Sequence, residues 1–506
     1  MWEGFQPPTL FVTKPRGCSP ATATAALTWI KALSARRPQT GPMNKTTSLP
    51  ASTVSLRRLG AAPHRLMFFI GASNLLLAMA WWAAWLAAAR WPAIAMPQPQ
   101  PLAGWLHAFV MQYQMLPSFI FGFLLTTFPR WTGLPEFGRR RYLPVGLGIF
   151  GGQIATLLGV LGWDAGIVVG LLMTVAGWTL GLATLATLLW RERGTTWHAR
   201  SCFAALVLGY VGLLGFVVFV FGGSPLWMFA SIKVGTFGLL LPVYMTVAHR
   251  MFPFFAASVL PGYTPWRPLW LLALFWALCL GHLLLELVHA YGWLWLVDLP
   301  LLALTATMLW RWWPKDMDVR VPWAGASGIL PPAAQGSASA ASAGCARAAA
   351  PLVDPCTSHD AQERPNDIKV RVPGLLTVLF VGLAWLPVAF ALYSAQSVAY
   401  AMTGVYWLGR GPAHALFVGF FGSVLIAMVT RVTQGHSGRP LVMPAAAWFA
   451  FGMIQLVAVL RVSAEVLPDG MAWQAVAAVG WLLAFAPWVL RIGRITLTPR
   501  ADGKPG

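Results

Sequence analysis

The chain has 506 residues, of which 58% are hydrophobic and 10% charged. A soluble domain carries about 25% charged residues, so this composition excludes an ordinary water-soluble core and makes lipid the solvent for much of the surface. The formal net charge of +20 does not indicate nucleic acid, because the cations are scattered over short loops without a dense patch.

Residues 1–62 are polar, basic and rich in Pro, Ser and Thr. They hold no apolar signal segment with a cleavage site and read as a disordered cytoplasmic tail. Met43 is an alternative start within it. From Leu66 onward, apolar runs of roughly 20 residues recur, the length a helix needs to cross about 30 Å of hydrocarbon. The expected spans are 66–88, 105–128, 143–163, 167–190, 201–222, 227–248, 268–288, 291–311, 373–396, 411–431, 441–462 and 471–491. The runs are apolar all round rather than alternating, which excludes a β-barrel. The fold class is therefore an all-α polytopic membrane helix bundle of about 12 transmembrane helices.

Residues 314–371, rich in Ala, Ser, Gly and Pro, read as a flexible cytoplasmic linker. It divides a membrane bundle of helices 1–8 (63–313) from one of helices 9–12 (372–495), and 496–506 forms a cytoplasmic tail. With the N-terminus placed inside, 31 of the 35 Lys and Arg fall on the cytoplasmic side. Only Arg90, Arg410 and Arg461 lie outside, and Lys233 falls within a span. That segregation supports both the helix count and cytoplasmic termini. The five Cys form no CxxC pair, so neither a disulfide framework nor a zinc knuckle is expected.

Ionisable groups inside a membrane are costly and mark function by default. His107 opens the second span and His414 the tenth, both near the outer face. In the seventh span His282, Glu286 and His289 share one helix face and also lie towards the outside; for His289, beside a short loop, a wet interfacial role is the simpler reading. Four His and one Glu at similar depth suffice to ligate a haem or a copper ion. A second group gathers on the inner side: His249, Arg250, Arg130, Arg431, His436 and Arg439. Arg250, Arg431 and Arg439 are candidate partners for haem propionates, with positive-inside anchoring as the simpler role for any one of them. Lys233 either snorkels to the interface or faces an internal polar site. The second and tenth spans both begin His-Ala and end in a Gly-x-Pro loop, so two similar helices face each other across a cofactor in the sharpest reading. CxxCH is absent, which disfavours covalent haem.

At these loops the sequence resembles the NnrS family. The resemblance runs over roughly 64–495. Its most specific part extends from His414-Ala415-Leu416 through Thr430-Arg431 to Gly435-His436-Ser437-Gly438-Arg439-Pro440. Trp131-Thr132-Gly133-Leu134-Pro135, Arg250-Met251-Phe252-Pro253-Phe254-Phe255 and His64-Arg65-Leu66 add to it. The resemblance implies a bacterial inner-membrane protein with non-covalent, b-type haem and also copper. It implies a role in tolerance of nitric oxide and nitrosative stress, often alongside denitrification. His107, His414 and His436 match its motif positions and are the first metal-ligand candidates, followed by His249, His282 and Glu286. One departure stands out: where family members commonly read His-Ala-His-Glu-Met, this chain has His107-Ala108-Phe109-Val110-Met111. His249 also stands where many members have Gly. The expected partners are the bilayer and nitric oxide, with no nucleic acid. The alternatives are a secondary transporter of a metal, metal complex or anion, and a membrane redox enzyme.

Overall fold

The computed structural model describes residues 54–92, 95–192, 196–260, 262–314, 318–322, 367–371 and 373–503. Most of the expected N-terminal tail, Met43 included, and the linker interior lie outside these residues.

Among the described residues, twelve helices are long and apolar enough to cross a membrane. They are α1 (Pro63–Arg90), α2 (Ala103–Thr132), α3 (Arg139–Val160), α4 (Gly166–Arg191), α5 (Trp197–Val220) and α6 (Pro225–Ala257). The others are α7 (Leu269–Leu287), α8 (Tyr291–Trp312), α9 (Gly374–Thr403), α10 (Gly411–His436), α11 (Ala445–Ser463) and α12 (Gly470–Leu497). The starts and stops follow local chemistry. Pro63, Pro225 and Pro412 sit in first turns, where a missing N–H costs nothing. Gly133 and Gly404 end α2 and α9 in the left-handed conformation. Trp91, Trp163, Trp190, Trp197, Trp227 and Trp293 stand exposed at helix ends, as indole rings do at a headgroup boundary.

The helices close into one compact unit, Ser52–Gly506. Consecutive helices pack as neighbours, and α4 meets α5, α8 meets α9 and α12 returns to α1. At the α12–α1 seam, Arg90 pairs with Asp469 at 2.6 Å, and hydrogen bonds from Arg90 hold this exposed carboxylate below its ordinary range. The eight-helix and four-helix parts are thus continuous around a ring. Within it, α2 and α10 are the most enclosed, with 89% and 83% of their apolar windows buried. They are apolar because they face other helices rather than lipid.

Three boundaries differ from the sequence reading. The tail assigned to 1–62 ends in a 3₁₀ turn, Leu56–Ala61, and the Ser55 N–H donates to the Leu497 carbonyl at 3.1 Å. At the C-terminal side, α12 continues to Leu497, and the Ala501 N–H donates to the Ser437 carbonyl at 2.8 Å. The linker assigned to 314–371 carries β1 (Asp318–Pro322) and β2 (Asp367–Arg371), paired antiparallel with Asp318 opposite Arg371. Val/Arg/Lys alternation suits a short ribbon, but in a loop of this composition it gives too weak a signal to stand out.

Helices α3 and α4 pack through glycines. A Cβ at Gly148 would lie 2.6 Å from the Gly177 Cα, and one at Gly152 would lie 2.7 Å from the Gly170 carbonyl oxygen. Close backbone approach of this kind drives helix association in lipid. Gly148→Val is expected to force the pair apart and cost about 1–3 kcal/mol, read as a lowered thermal transition of the purified protein.

Candidate functional site: a cavity walled by three π-bulged helices

Helices α2, α6 and α10 share a feature that their sequences do not announce. Each begins as an α-helix, widens into a π segment and returns to α: Val110–Met115 in α2, Val234–Leu240 in α6 and Ala415–Phe421 in α10. An ionisable residue stands directly before the widening in α6 and α10, Lys233 and His414, and three positions before it in α2, His107. A π turn inserts an extra residue and leaves backbone groups short of partners, and such turns cluster at functional sites. Here the surroundings supply those partners. The Trp178 Nε1–H donates to the Tyr113 carbonyl at 2.9 Å, and the Tyr113 hydroxyl donates to the Ser231 carbonyl. Gln112 donates to the Thr236 hydroxyl at 3.0 Å, which pins the widened turn of α2 to that of α6.

The three widened turns wall a cavity of about 330 Å³. His107 and His414 both line it, so imidazoles from two helices more than 300 positions apart meet one space. His107 stacks on Trp82, with ring centroids 4.3 Å apart and planes at 9°, and its Nδ1 is buried without a hydrogen-bond partner. In His414, Nδ1 faces the Arg410 carbonyl at 2.9 Å. A carbonyl only accepts, so Nδ1 carries the proton and Nε2 keeps its lone pair, the arrangement that orients a metal-ligating imidazole. Met111, Met115, Phe417 and Val418 supply apolar wall, while Lys233, Arg410 and Arg461 supply positive charge. Arg461 is already paired with Glu465 at 2.6 Å. A smaller apolar cavity of about 60 Å³ lies between the same three helices, and Leu425 borders both.

Beside the large cavity runs a chain of buried ion pairs. Lys233 Nζ lies 2.6 Å from Glu286 Oε2, and Glu286 Oε1 lies 3.5 Å from His282 Nε2. His282 Nδ1 lies 2.6 Å from Asp298 Oδ1. The 3.5 Å contact is an ion-pair distance without hydrogen-bond alignment, since His282 Nε2 has no hydrogen-bond partner. Phe237 stacks on the His282 ring at 3.7 Å. Lys233 therefore faces an internal polar site and not the interface. The i, i+4 spacing exposes His282 and Glu286 in the sequence, but Asp298 comes from the next helix and gives no local signal. His289 stands apart at φ 58° with Nδ1 on the Tyr291 hydroxyl, an end-of-helix role.

The inner-side candidates do not join this cavity. They sit at the ends of α2, α6 and α10, one membrane crossing from His107 and His414. The Arg250 guanidinium lies over the Trp131 ring at 4.7 Å and that of Arg431 over the Phe255 ring at 3.8 Å. Arg439 has a buried Nη1 without a partner. The cations that line the cavity are instead Lys233, Arg410 and Arg461, of which Lys233 and Arg461 are paired with Glu286 and Glu465. His249 has both nitrogens committed: Nε2 donates to the Pro268 carbonyl at 3.1 Å, so Nδ1 accepts from His198 Nε2 at 2.9 Å. His436 lies with its ring centroid 4.3 Å from that of His64, and Arg130 Nη1 is 3.5 Å from its Nε2. His64 is the partner that sequence reading passed over, although it opens one of the matched motifs.

Phe109, at the position of the family departure, is fully packed, its ring centroid 4.2 Å from that of Phe216. Phe109 and Val110 serve the core and are not in the cavity lining, although Ala108, Met111 and Gln112 around them are. No group of three or more His, Cys, Asp or Glu placed to hold a metal ion occurs among the described residues. The imidazoles in the lining of the large cavity are those of His107 and His414.

No curated protein matches the chain. The family described as NnrS protein matches residues 58–329 and 364–500, which takes in all twelve helices and every residue of the cavity. The chain belongs to the NnrS family.

Proposed function

We propose that this NnrS-family protein binds a haem-type macrocycle in the cavity between α2, α6 and α10 and acts in the response to nitric oxide. The observation that carries the reading is the convergence of His107 and His414 on one cavity of about 330 Å³, within the ~300–1,000 Å³ range of cofactor and ligand sites. The residues fit the group. The imidazoles of His107 and His414 would hold the iron, the latter with Nδ1 on the Arg410 carbonyl and Nε2 left for the metal, the Met and Phe walls suit a macrocycle face, and Arg410 suits its carboxylates. When bound, such a haem would supply reversible binding of a diatomic gas in exchange for one of the two imidazoles. The protein's own part is to orient both imidazoles, exclude bulk water with apolar walls and hold the acidic edge at the cationic rim. Copper has no separate three-donor site among the described residues and in this reading would depend on the same two imidazoles.

The test is optical. Protein purified from its native membrane is expected to show a Soret band that shifts on addition of nitric oxide. A colourless preparation without iron would end the reading. Arg410→Glu, which reverses charge at the exposed edge of the cavity, is expected to weaken haem binding by about 10- to 150-fold, since a charge-assisted hydrogen bond contributes about 1.5–3 kcal/mol. Titration of apoprotein with haem checks it.

A further inference from the structure

The proposed cofactor leaves the buried chain Lys233–Glu286–His282–Asp298 unexplained. We propose that these four groups form a proton relay that opens on the cavity at Lys233 and stores one proton at His282. The placement is costly without a use. Two carboxylates, an imidazole and an ammonium lie inside membrane-length helices, and His282 and Asp298 are fully buried. Intramembrane chains of Asp, Glu and His are the usual material of proton pathways.

The geometry sets the order. Lys233 is the member that lines the cavity, with 27% of its side chain exposed, against 5% for Glu286 and none for His282 or Asp298. Access therefore runs from Lys233 inward, and Asp298 is the closed end. With a proton on both His282 nitrogens, the charges of the four groups cancel. With one, the set carries a net negative charge. Delivery then runs in balanced hops. An Nζ–H bond of Lys233 breaks and the proton passes to water or to a basic atom of whatever occupies the cavity. Glu286 Oε1 then takes the Nε2 proton of His282, and the neutral carboxyl so formed turns about its Cγ–Cδ bond and gives that proton to Nζ, which leaves Glu286 a carboxylate again. His282 ends neutral with Nδ1–H still on Asp298, one proton has left and no electrons have moved. The 3.5 Å step between His282 and Glu286 is the widest and is the natural place for control.

The other titratable groups that face this chain are Cys279, near Asp298, and Tyr291, Tyr393 and Tyr406, near Glu286. Tyr393 meets the His282 ring edge-on at 5.2 Å and also lines the cavity. Sequence position alone could not assemble the relay, because its members come from α6, α7 and α8.

Lys233→Arg separates relay from structure. Arginine preserves the charge beside Glu286 but is effectively always protonated, so it keeps the ion pair and stops the transfer. The experiment follows deuterium exchange at the His282 ring N–H in histidine-labelled, full-length protein in lipid nanodiscs, the signal being assigned by its loss in His282→Asn. Exchange is expected to be fast in the wild type and at least tenfold slower in Lys233→Arg, with Glu286→Gln slower as well. Wild-type exchange rates in Lys233→Arg, or a wild-type His282 that does not exchange, would overturn the proposal. If Glu286→Gln fails to fold, Lys233→Arg decides alone. The result does not depend on what the cavity binds, so relay and cofactor readings stand or fall separately.

Discussion

Purified His107→Ala and His414→Ala proteins are each expected to lose haem absorbance while keeping the helical content and elution volume of the wild type. The two imidazoles approach the cavity from α2 and α10, so neither can replace the other. Loss of a partner behind a metal ligand already costs about 10–100-fold in affinity, and loss of the ligand itself should exceed that. Both side chains face a cavity, so truncation widens a space that exists and disturbs little packing. His249→Ala is the control. Its ring is committed to His198 and the Pro268 carbonyl, so it should cost stability and leave the spectrum unchanged. Loss of absorbance in His249→Ala with retention in His107→Ala would move the site to the opposite end of the bundle.

The second large effect is on stability. Lys233→Met is expected to destabilise the fold by about 3–5 kcal/mol, because it strands the Glu286 carboxylate in a buried position without its cation. Glu286 is 4% exposed, so water cannot take the place of the Lys233 ammonium 2.6 Å away. Lys233→Met combined with Glu286→Met is expected to recover most of the loss, since replacing a buried pair by apolar groups of similar volume is often close to neutral. Unfolding in mixed micelles, followed by circular dichroism, gives both values. A double variant as unstable as the single one would mean that the pair does more than neutralise itself, as it would if His282 and Asp298 depend on it for their own placement.

These expectations rest on features that were unequally visible in the sequence. The twelve spans were legible because lipid demands about 20 apolar residues at each crossing, and that demand leaves a mark whatever the packing. The convergence of His107 and His414 was legible because both open inward-running spans and so share a depth. The cations of the cavity were less legible. Arg250, Arg431 and Arg439 cluster in the sequence with the strongest motifs, yet they lie at the other end of their helices, while Arg410 and Arg461 line the cavity. The π segments left no pattern in residue type, since an extra residue in a turn is set by what neighbouring helices can satisfy, here Trp178, Thr236 and Ser231. Asp298 and His64 were missed for a related reason. Each is a single polar residue near the start of an apolar helix, and only its partner on another helix gives it meaning.

Phe109 and Val110, at the position where the family resemblance leads one to expect His and Glu, belong to the core. Both side chains are about 1% exposed in the core, and the cavity draws its donors from the adjacent turn.

The most direct test is low-temperature electron paramagnetic resonance of the ferric wild-type protein, prepared with ordinary and with ¹⁵N-labelled histidine. The account predicts about one iron per chain, in a low-spin state, with couplings from two imidazole nitrogens that change with the label. Iron coupled to no imidazole, in protein whose His107 and His414 are intact, would contradict it.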